Sequence, residues 1–135
     1  MIDKKQLLDF MLTYIKENSI TIENIPSLMH KLQMDLLRTM CDEAEKIYVL
    51  KRTGSVQPFD IQKLRYSISN ASDDIKQPLN SSDIEHIINH ILEVLKTKNL
   101  NIVESIKLRS MVTDELKDIG YIAVANNYEK YYKLK

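Results

Sequence analysis

The sequence VLKRTGSVQPFDIQKL, Val49–Leu64, contains the turn and the helix start on which the predicted architecture rests. It predicts four consecutive elements: a strand over Ile47–Lys51, a tight turn at Thr53-Gly54, a second strand over Val56–Phe59, and a helix that begins at Asp60. Gly54 stands where the turn requires a positive φ, which glycine adopts without steric cost. Pro58 has no N–H to donate to a strand ladder, so we expect the second strand at the edge of the sheet.

The helix start at Asp60 brings basic side chains together. Asp60 is a good N-cap, and Phe59 before it can pack against Leu64, which fixes how the hairpin enters the helix. The paired cations Lys51-Arg52 then leave the first strand close to the helix turn that carries Lys63. Cations beside a helix N-terminus are typical of a site for phosphate groups. A lysine-arginine pair before a turn is also common in solvated loops.

The order hydrophobic-x-Lys-Arg-x-Gly-Ser-x-x-x-Phe-Asp-x-x-Lys-Leu resembles the opening of the ATP-cone, a regulatory nucleotide-binding domain found in ribonucleotide reductases and in the NrdR repressor of their genes. The resemblance covers roughly residues 47–133. It implies helices at Ser82–Lys98, Ser105–Lys117 and Tyr121–Tyr132, and a short strand at Asn101–Val103. The expected fold is therefore α+β and mostly helical. An N-terminal helical hairpin is followed by a four-helix bundle capped by a small three-stranded sheet.

The resemblance also implies which residues bind nucleotide, with the cations on the phosphates and the apolar side chains against the base. These residues come from four elements: Val49, Lys51 and Arg52 from the hairpin, Asp60, Lys63 and Leu64 from the first helix of the bundle, Ser105, Leu108 and Arg109 from the third, and Asn126 and Lys130 from the fourth. The implied effector is ATP or dATP, with Mg²⁺ accompanying the triphosphate. Either Gln57 or Asp60 could recognise the edge of the base, and the sequence does not decide between them.

Signatures of catalysis are missing from the sequence. There is no GxxxxGK[ST], no GxGxxG, no nucleophile elbow, and no carboxylate pair to hold magnesium and activate water. We therefore expect a non-catalytic regulatory protein and not an enzyme. Exchange of ATP and dATP would control either the oligomerisation of the chain or its interaction with a protein partner. The partner that the resemblance implies is ribonucleotide reductase.

Two other functions stay open: an NrdR-like transcriptional regulator with a helical module in place of the zinc ribbon, and a degenerate cone retained as a scaffold. The chain has 19 basic and 19 acidic residues and a formal net charge of zero, so no global field attracts nucleic acid. No clear recognition helix is visible in the sequence. DNA binding is therefore left undecided.

Cysteine usage and hydropathy indicate the cellular setting. Cys41 is the one cysteine of the chain, which excludes an internal disulfide and a cysteine-rich zinc ribbon. No run approaches the roughly 20 apolar residues of a membrane span, and the N-terminus has no apolar signal core. We expect a cytoplasmic protein with no membrane association.

Residues 1–46 are expected to form a helical accessory module ahead of the ATP-cone at residues 47–135. An amphipathic helix is predicted over residues 3–17, opened by a capping box of Asp3 and Gln6, and a second helix begins near Pro26. A helical hairpin of this size cannot bury enough surface to be stable alone. It either packs on the second module or self-associates, and we expect a homo-oligomer. Residues 7–37 also resemble the N-terminal helical region of MucR/Ros regulators, which mediates oligomerisation in that family.

Apolar spacing predicts the core of the second module. The helix over Asp60–Ala71 is expected to bury Ile61, Leu64, Ile68 and Ala71, and a loop is expected over Ser72–Asn80. The next helix carries the broadest apolar stripe, so we expect it at the centre of the core. The stripe consists of Ile84, Ile87, Ile88, Ile91, Leu92 and Leu95.

Several polar residues of the second module suggest local roles. Ser82 and Glu85 have the spacing of a capping box. Ser105 is expected to cap the third helix, and Gly120 is expected to end that helix in a left-handed conformation. His86 and His90, with Glu93, have the spacing of a zinc site, although solvated histidines are far more common on a polar helix face. The tyrosines Tyr128, Tyr131 and Tyr132 fit a core or interface cluster better than a base-stacking platform.

Overall fold

The structure is a computed structural model that describes residues 1–133 of the chain. Within these residues, nine helices and strands follow one another: α1 Lys4–Glu17, α2 Ile25–Ala44, β1 Tyr48–Leu50, β2 Val56–Pro58, α3 Ile61–Asp74, α4 Ser81–Thr97, β3 Ile102–Glu104, α5 Ser105–Asp118 and α6 Ile122–Lys133. A short 3₁₀ turn at Ile22–Asn24 precedes α2. The expectation of a mostly helical α+β fold with a three-stranded sheet is confirmed.

The chain divides into two compact units, Met1–Leu37 and Arg38–Lys135, with the division inside α2. The first unit contains α1 and most of α2. The capping box of α1 is present as expected, because the Asp3 carboxylate accepts from the Gln6 amide and the Gln6 side chain accepts from the Asp3 amide. The functional assignment of residues 1–46 and 47–135 as separate modules stays a prediction.

In the second unit, the strands form one sheet in the order β2-β1-β3. β1 pairs antiparallel with β2, so that Val49 lies opposite Gln57, and parallel with β3, so that Val49 lies opposite Val103. Pro58 therefore lies on an edge strand, as expected from its missing N–H. β3 completes the sheet that the hairpin begins.

The turn between β1 and β2 is centred one residue earlier than the expected Thr53-Gly54. The Gly54 amide donates to the Lys51 carbonyl at 3.0 Å, which places Arg52 and Thr53 at the centre of the turn. Gly54 follows the turn with φ of 91°, so the positive φ expected of this glycine is present. A turn followed by a left-handed residue matches the right-handed twist of the two strands.

α3 begins as predicted and ends later. One oxygen of Asp60, Oδ1, accepts from the amides of Gln62 at 2.9 Å and Lys63 at 3.2 Å. The predicted loop over Ser72–Asn80 is wrong in its first residues, because α3 continues to Asp74. Ser72 is buried there, and its hydroxyl donates to the Ser69 carbonyl, so this polar residue does not interrupt the helix.

Two expected caps were wrong. α4 is capped by Asn80, whose side chain accepts from the Asp83 amide at 2.7 Å, and Ser82 lies within the first turn. At α5 the N-cap position is Glu104, and Ser105 is the first helical residue. β3 runs directly into α5 without a loop, so the cap position falls on the last strand residue.

The core of the second unit surrounds α4, as its apolar stripe predicted. Ile87, Ile91 and Leu95 are almost fully buried, and Leu92 packs at the edge of the core. Ile61 was expected in this core, but it is 37% exposed at the start of α3. At the other end of the bundle, Gly120 ends α5 with φ of 95° as predicted. The remaining core residues are Val49, Leu64, Ile68, Ala71, Leu79, Ile84, Ile88, Val103, Val112, Leu116, Val124, Ala125 and Tyr128.

Candidate functional site

A cavity of about 470 Å³ lies between the hairpin and the helices of the second unit. The hairpin forms one side of it, the first turns of α3 and α5 form another, and α6 contributes Tyr128. The lining residues are Val49, Lys51, Arg52, Thr53, Ser55, Gln57, Pro58, Phe59, Asp60, Lys63, Leu64, Ser67, Ser105, Leu108, Arg109 and Tyr128. Nine of the eleven residues that the sequence analysis assigned to a nucleotide site are among them. Their roles in binding stay a prediction.

The charge of the lining is strongly unbalanced. Four cations, Lys51, Arg52, Lys63 and Arg109, line the cavity, and Asp60 is the single carboxylate of this lining within residues 1–133. Lys51, Arg52 and Lys63 are exposed, and no ion pair is recorded for their side chains in the described part of the chain. Arg109 is half-buried and has contacts of its own. Such a lining favours an anion that carries several charges.

The start of α5 reinforces this electrostatic preference. Glu104 occupies the N-cap position of α5 but makes no side-chain hydrogen bond to the first turn. The amides of a first helical turn have no partner within the helix, and they carry the positive end of the helix dipole. Ser105, the first residue of α5, lines the cavity together with Leu108 and Arg109 one turn later. An anion in the cavity could therefore meet backbone donors as well as cations.

The inner part of the cavity is largely apolar. Val49 and Leu64 are buried at its wall, and Phe59 and Leu108 pack against the same core. Walls of this kind suit the apolar part of a ligand, since most small-molecule sites combine apolar contacts with a few polar groups. The cavity lining thus combines four cations with several apolar side chains.

Sequence analysis did not assign four hydroxyl-bearing residues of this lining to the site: Thr53, Ser55, Ser67 and Tyr128. Ser67 and Tyr128 both line the cavity, and their hydroxyl oxygens lie 3.4 Å apart. The Ser67 hydroxyl also lies 2.7 Å from the Leu64 carbonyl, to which it donates. Ser67 follows Lys63 by four residues, so helical spacing alone places both on one face and could have identified it. No comparable signal in the sequence singles out Tyr128 from its neighbouring tyrosines.

Asn126 and Lys130, the two remaining assigned residues, do not line the cavity. Both are exposed on α6, while Tyr128 between them is buried. A step of two residues turns a helix by roughly 200°, so residues 126 and 130 face away from the side that carries residue 128. Tyr131 and Tyr132, which the sequence analysis grouped with Tyr128, have side chains outside those that the structure describes.

Other polar contacts hold the helices together away from the cavity. Arg65 Nε donates to Glu85 Oε1 at 2.6 Å, which raises the pKa of Arg65. His90 Nδ1 and Glu115 Oε1 form a hydrogen bond between α4 and α5. Within residues 1–133, no group of three histidine, cysteine or acidic side chains could hold a metal ion, which includes the surroundings of His86 and His90.

Tyr121 and Cys41 are two further titratable groups whose pKa values are shifted. The Tyr121 hydroxyl donates to Asp83 Oδ2 at 2.8 Å, and this hydrogen bond raises the pKa of Tyr121. Burial, followed by the negative charge of Asp42, raises the pKa of the Cys41 thiol. Neither group lines the cavity.

Among the described helices, none is both long enough and apolar enough to cross a bilayer.

Comparison with known proteins gives a consistent family signal. The sequence matches the ATP cone domain over residues 47–135. It is 30% identical over 102 residues to the transcriptional repressor NrdR of Methylacidiphilum infernorum, an alignment that covers 72% of this chain and 60% of the relative. It is 27% identical over 96 residues to NrdR of Dictyoglomus thermophilum, covering 69% of this chain and 63% of that protein. The chain thus spans about 60% of the length of these curated relatives.

Proposed function

The chain belongs to the ATP cone domain family over residues 47–135, and from this premise we propose that its cavity binds ATP or dATP as a regulatory effector. The single observation that carries the proposal is the gathering of four cations and one carboxylate around a cavity with an apolar interior. Lys51, Arg52 and Lys63 bind the triphosphate. Val49, Leu64 and Leu108 contact the base.

The bound nucleotide acts as a signal in this proposal and is not hydrolysed. Hydrolysis requires a group that positions the attacking water and ligands that hold the metal beside it. Asp60, the carboxylate of the lining, uses Oδ1 to cap α3 and so has a structural task already. Mg²⁺ would accompany the triphosphate through phosphate oxygens and water, its usual environment in nucleotide complexes.

Regulation requires that ATP and dATP stabilise different assemblies unequally. Coupling free energies of about 1–3 kcal/mol are typical of such effects and change an equilibrium by about 5- to 150-fold. The proposal is that nucleotide exchange shifts how copies of this cytoplasmic chain assemble, or how the chain engages a protein partner. Ribonucleotide reductase is the partner class that the family membership suggests.

The second candidate function is transcriptional regulation. It is favoured by one observation, the similarity to proteins named as the transcriptional repressor NrdR. The formal net charge of zero gives no support for direct contact with phosphates of DNA. Affinity for duplex DNA that falls steeply with salt would establish this second function.

Calorimetric titration with ATP, dATP and GTP tests the proposed function. We expect saturable binding of the adenine nucleotides and loss of that binding in the double variant Lys51→Ala with Arg52→Ala. The control removes two exposed lysines that do not line the cavity, Lys96→Ala with Lys98→Ala, and keeps binding. Absence of heat with all three nucleotides would leave the chain as a scaffold that has lost the ligand.

A further inference from the structure

The N-terminal unit Met1–Leu37 contains no buried side chain. Its helices nevertheless carry large apolar residues that are exposed at steps of three and four positions. We call these residues the N-terminal stripes: Leu7, Phe10 and Tyr14 on α1, and Met29, Leu32 and Leu36 on α2. Steps of three and four place each group along one face of its helix. The unit thus has helices that are locally well formed and apolar faces that nothing in the unit covers.

The exposed area is that of a protein interface. Exposure within the stripes ranges from 39% at Met29 to 74% at Phe10. Large side chains have areas of about 150–250 Å², so the stripes expose on the order of 600 Å² in each copy. Leu8 and Leu12, exposed by 54% and 41%, extend this surface. The total approaches the roughly 800 Å² per partner of a standard interface.

We propose that the N-terminal stripes pack against the same stripes of a second copy, which gives a dimer whether or not nucleotide is bound. An isologous contact of this kind uses one surface twice and closes after two copies. This inference goes beyond the proposed function, because it assigns assembly to the N-terminal helices and not to the nucleotide cavity. Nucleotide exchange would then act on an already paired protein.

The chemistry of the unit favours a second copy as the occupant. Residues 1–37 contain four lysines against five carboxylates, so two units bring little mutual repulsion. The same balance disfavours nucleic acid and anionic membranes, which need an excess of basic residues. Leucine, methionine, phenylalanine and tyrosine are the residues of the stripes, and homodimer interfaces are more apolar and aromatic than the rest of a protein surface.

The test measures the mass of the full chain in solution, without nucleotide, by analytical ultracentrifugation over a wide concentration range. We expect a dimer, and we expect Phe10→Gln with Leu36→Gln to raise its dissociation constant by about a hundredfold or more. The matched control changes two residues of the second unit with similar exposure, Tyr66→Gln with Ile122→Gln, and leaves the dissociation constant unchanged. Glutamine preserves helix propensity at all four positions.

Two results of this experiment would overturn the proposal: a monomer at every concentration, or a dimer that tolerates the stripe variant and is broken by the control.

Hydrogen exchange of the unmodified chain tests the proposed dimer if the stripe variant does not fold. Amides of residues 4–17 and 25–37 should lose protection on dilution, because protection comes from the second copy. Protection independent of concentration, or none at all, contradicts the proposal. Calorimetry on the same variants reports separately on nucleotide binding, so failure of one proposal does not imply failure of the other.

Discussion

Lys63 takes part both in the start of α3 and in the lining of the cavity. It stands third in α3, where its amide donates to Asp60, and its side chain lines the cavity. A charge-assisted hydrogen bond contributes about 1.5–3 kcal/mol. Lys63→Ala should therefore weaken ATP binding by about 10- to 150-fold, as measured by titration calorimetry.

Lys107 provides a matched control for Lys63. It is also an exposed lysine at the third position of a helix, here α5, but it does not line the cavity. Lys107→Ala should change ATP affinity by less than about threefold, since Lys107 makes no part of the lining and its exposed charge is screened by salt. Equal losses in the two variants would mean that ATP responds to overall charge and not to this site.

Tyr121 gives the protein a predictable response to alkaline pH. Its hydrogen bond to Asp83 raises its pKa above the ordinary value of 10.0, so the folded protein holds this proton more tightly than the unfolded chain. The contribution to stability is present below pH 10.0 and is lost as pH rises through the higher folded pKa. Tyr121→Phe should reduce the loss of stability above that pH, as followed by urea denaturation. An unchanged alkaline profile would show that other groups dominate there.

At the scale of single residues, sequence patterns and the resemblance to the ATP-cone identified the four cations and Ser105 and missed the other hydroxyl residues of the lining. Lys51 and Arg52 could be predicted because charge next to a turn is visible in the chain itself. Tyr128 reaches the cavity only because α6 packs against α3, and such packing between distant segments leaves no local pattern. Asn126 and Lys130 illustrate the same limit, since the rotation of α6 decides which of its residues face the cavity.

Among the elements, the hairpin depends on Gly54 for the loop that carries Lys51 and Arg52. Its φ of 91° is costly for any residue with a Cβ, while the space around it is open. Gly54→Ala should therefore lower stability through backbone strain alone, by about 1–2 kcal/mol. It should also weaken ATP binding, because the loop that presents the cations must relax.

A variant at Gly120 distinguishes the loss of stability from the loss of ATP affinity. It has nearly the same φ, 95°, and equally open surroundings, but it ends α5 outside the cavity lining. Gly120→Ala should cost similar stability in urea denaturation and leave ATP affinity unchanged. A similar loss of affinity in both variants would indicate that lower stability, and not the hairpin loop, weakens binding.

Helix starts were predictable only where one capping residue stood alone. Asp60 follows Pro58 and Phe59, neither of which can cap, and it was assigned correctly. Before α4, Asn80, Ser81 and Ser82 are all good caps, and the contact between Asn80 and the Asp83 amide decides among them. Ser105 was expected to cap the third helix of the bundle, whereas β3 leads straight into α5 and the N-cap position falls on Glu104.

For the whole molecule, the mostly helical α+β class was predicted from the resemblance to the ATP-cone, and apolar periodicity predicted the central position of α4. The third strand, at Asn101–Val103, was implied by the same resemblance, although nothing local showed that it would pair with β1 in parallel. That pairing joins residues more than fifty positions apart, and it is what brings the start of α5 to the cavity.

Ligand binding should stabilise the molecule as a whole if the proposed site is correct. A ligand at about 100 times its dissociation constant adds roughly 2.7 kcal/mol to the free energy of unfolding. Saturating dATP should therefore raise the midpoint of thermal unfolding of the unmodified chain. The Lys51→Ala, Arg52→Ala double variant should show no such rise at the same dATP concentration.

A crystal structure of the full chain grown with excess dATP tests the nucleotide site most directly. It should show the triphosphate against Lys51, Arg52 and Lys63, and the adenine ring between the apolar walls near Val49 and Leu64. A cavity that stays empty or fills with the protein's own side chains, or dATP bound elsewhere on the chain, would contradict the account.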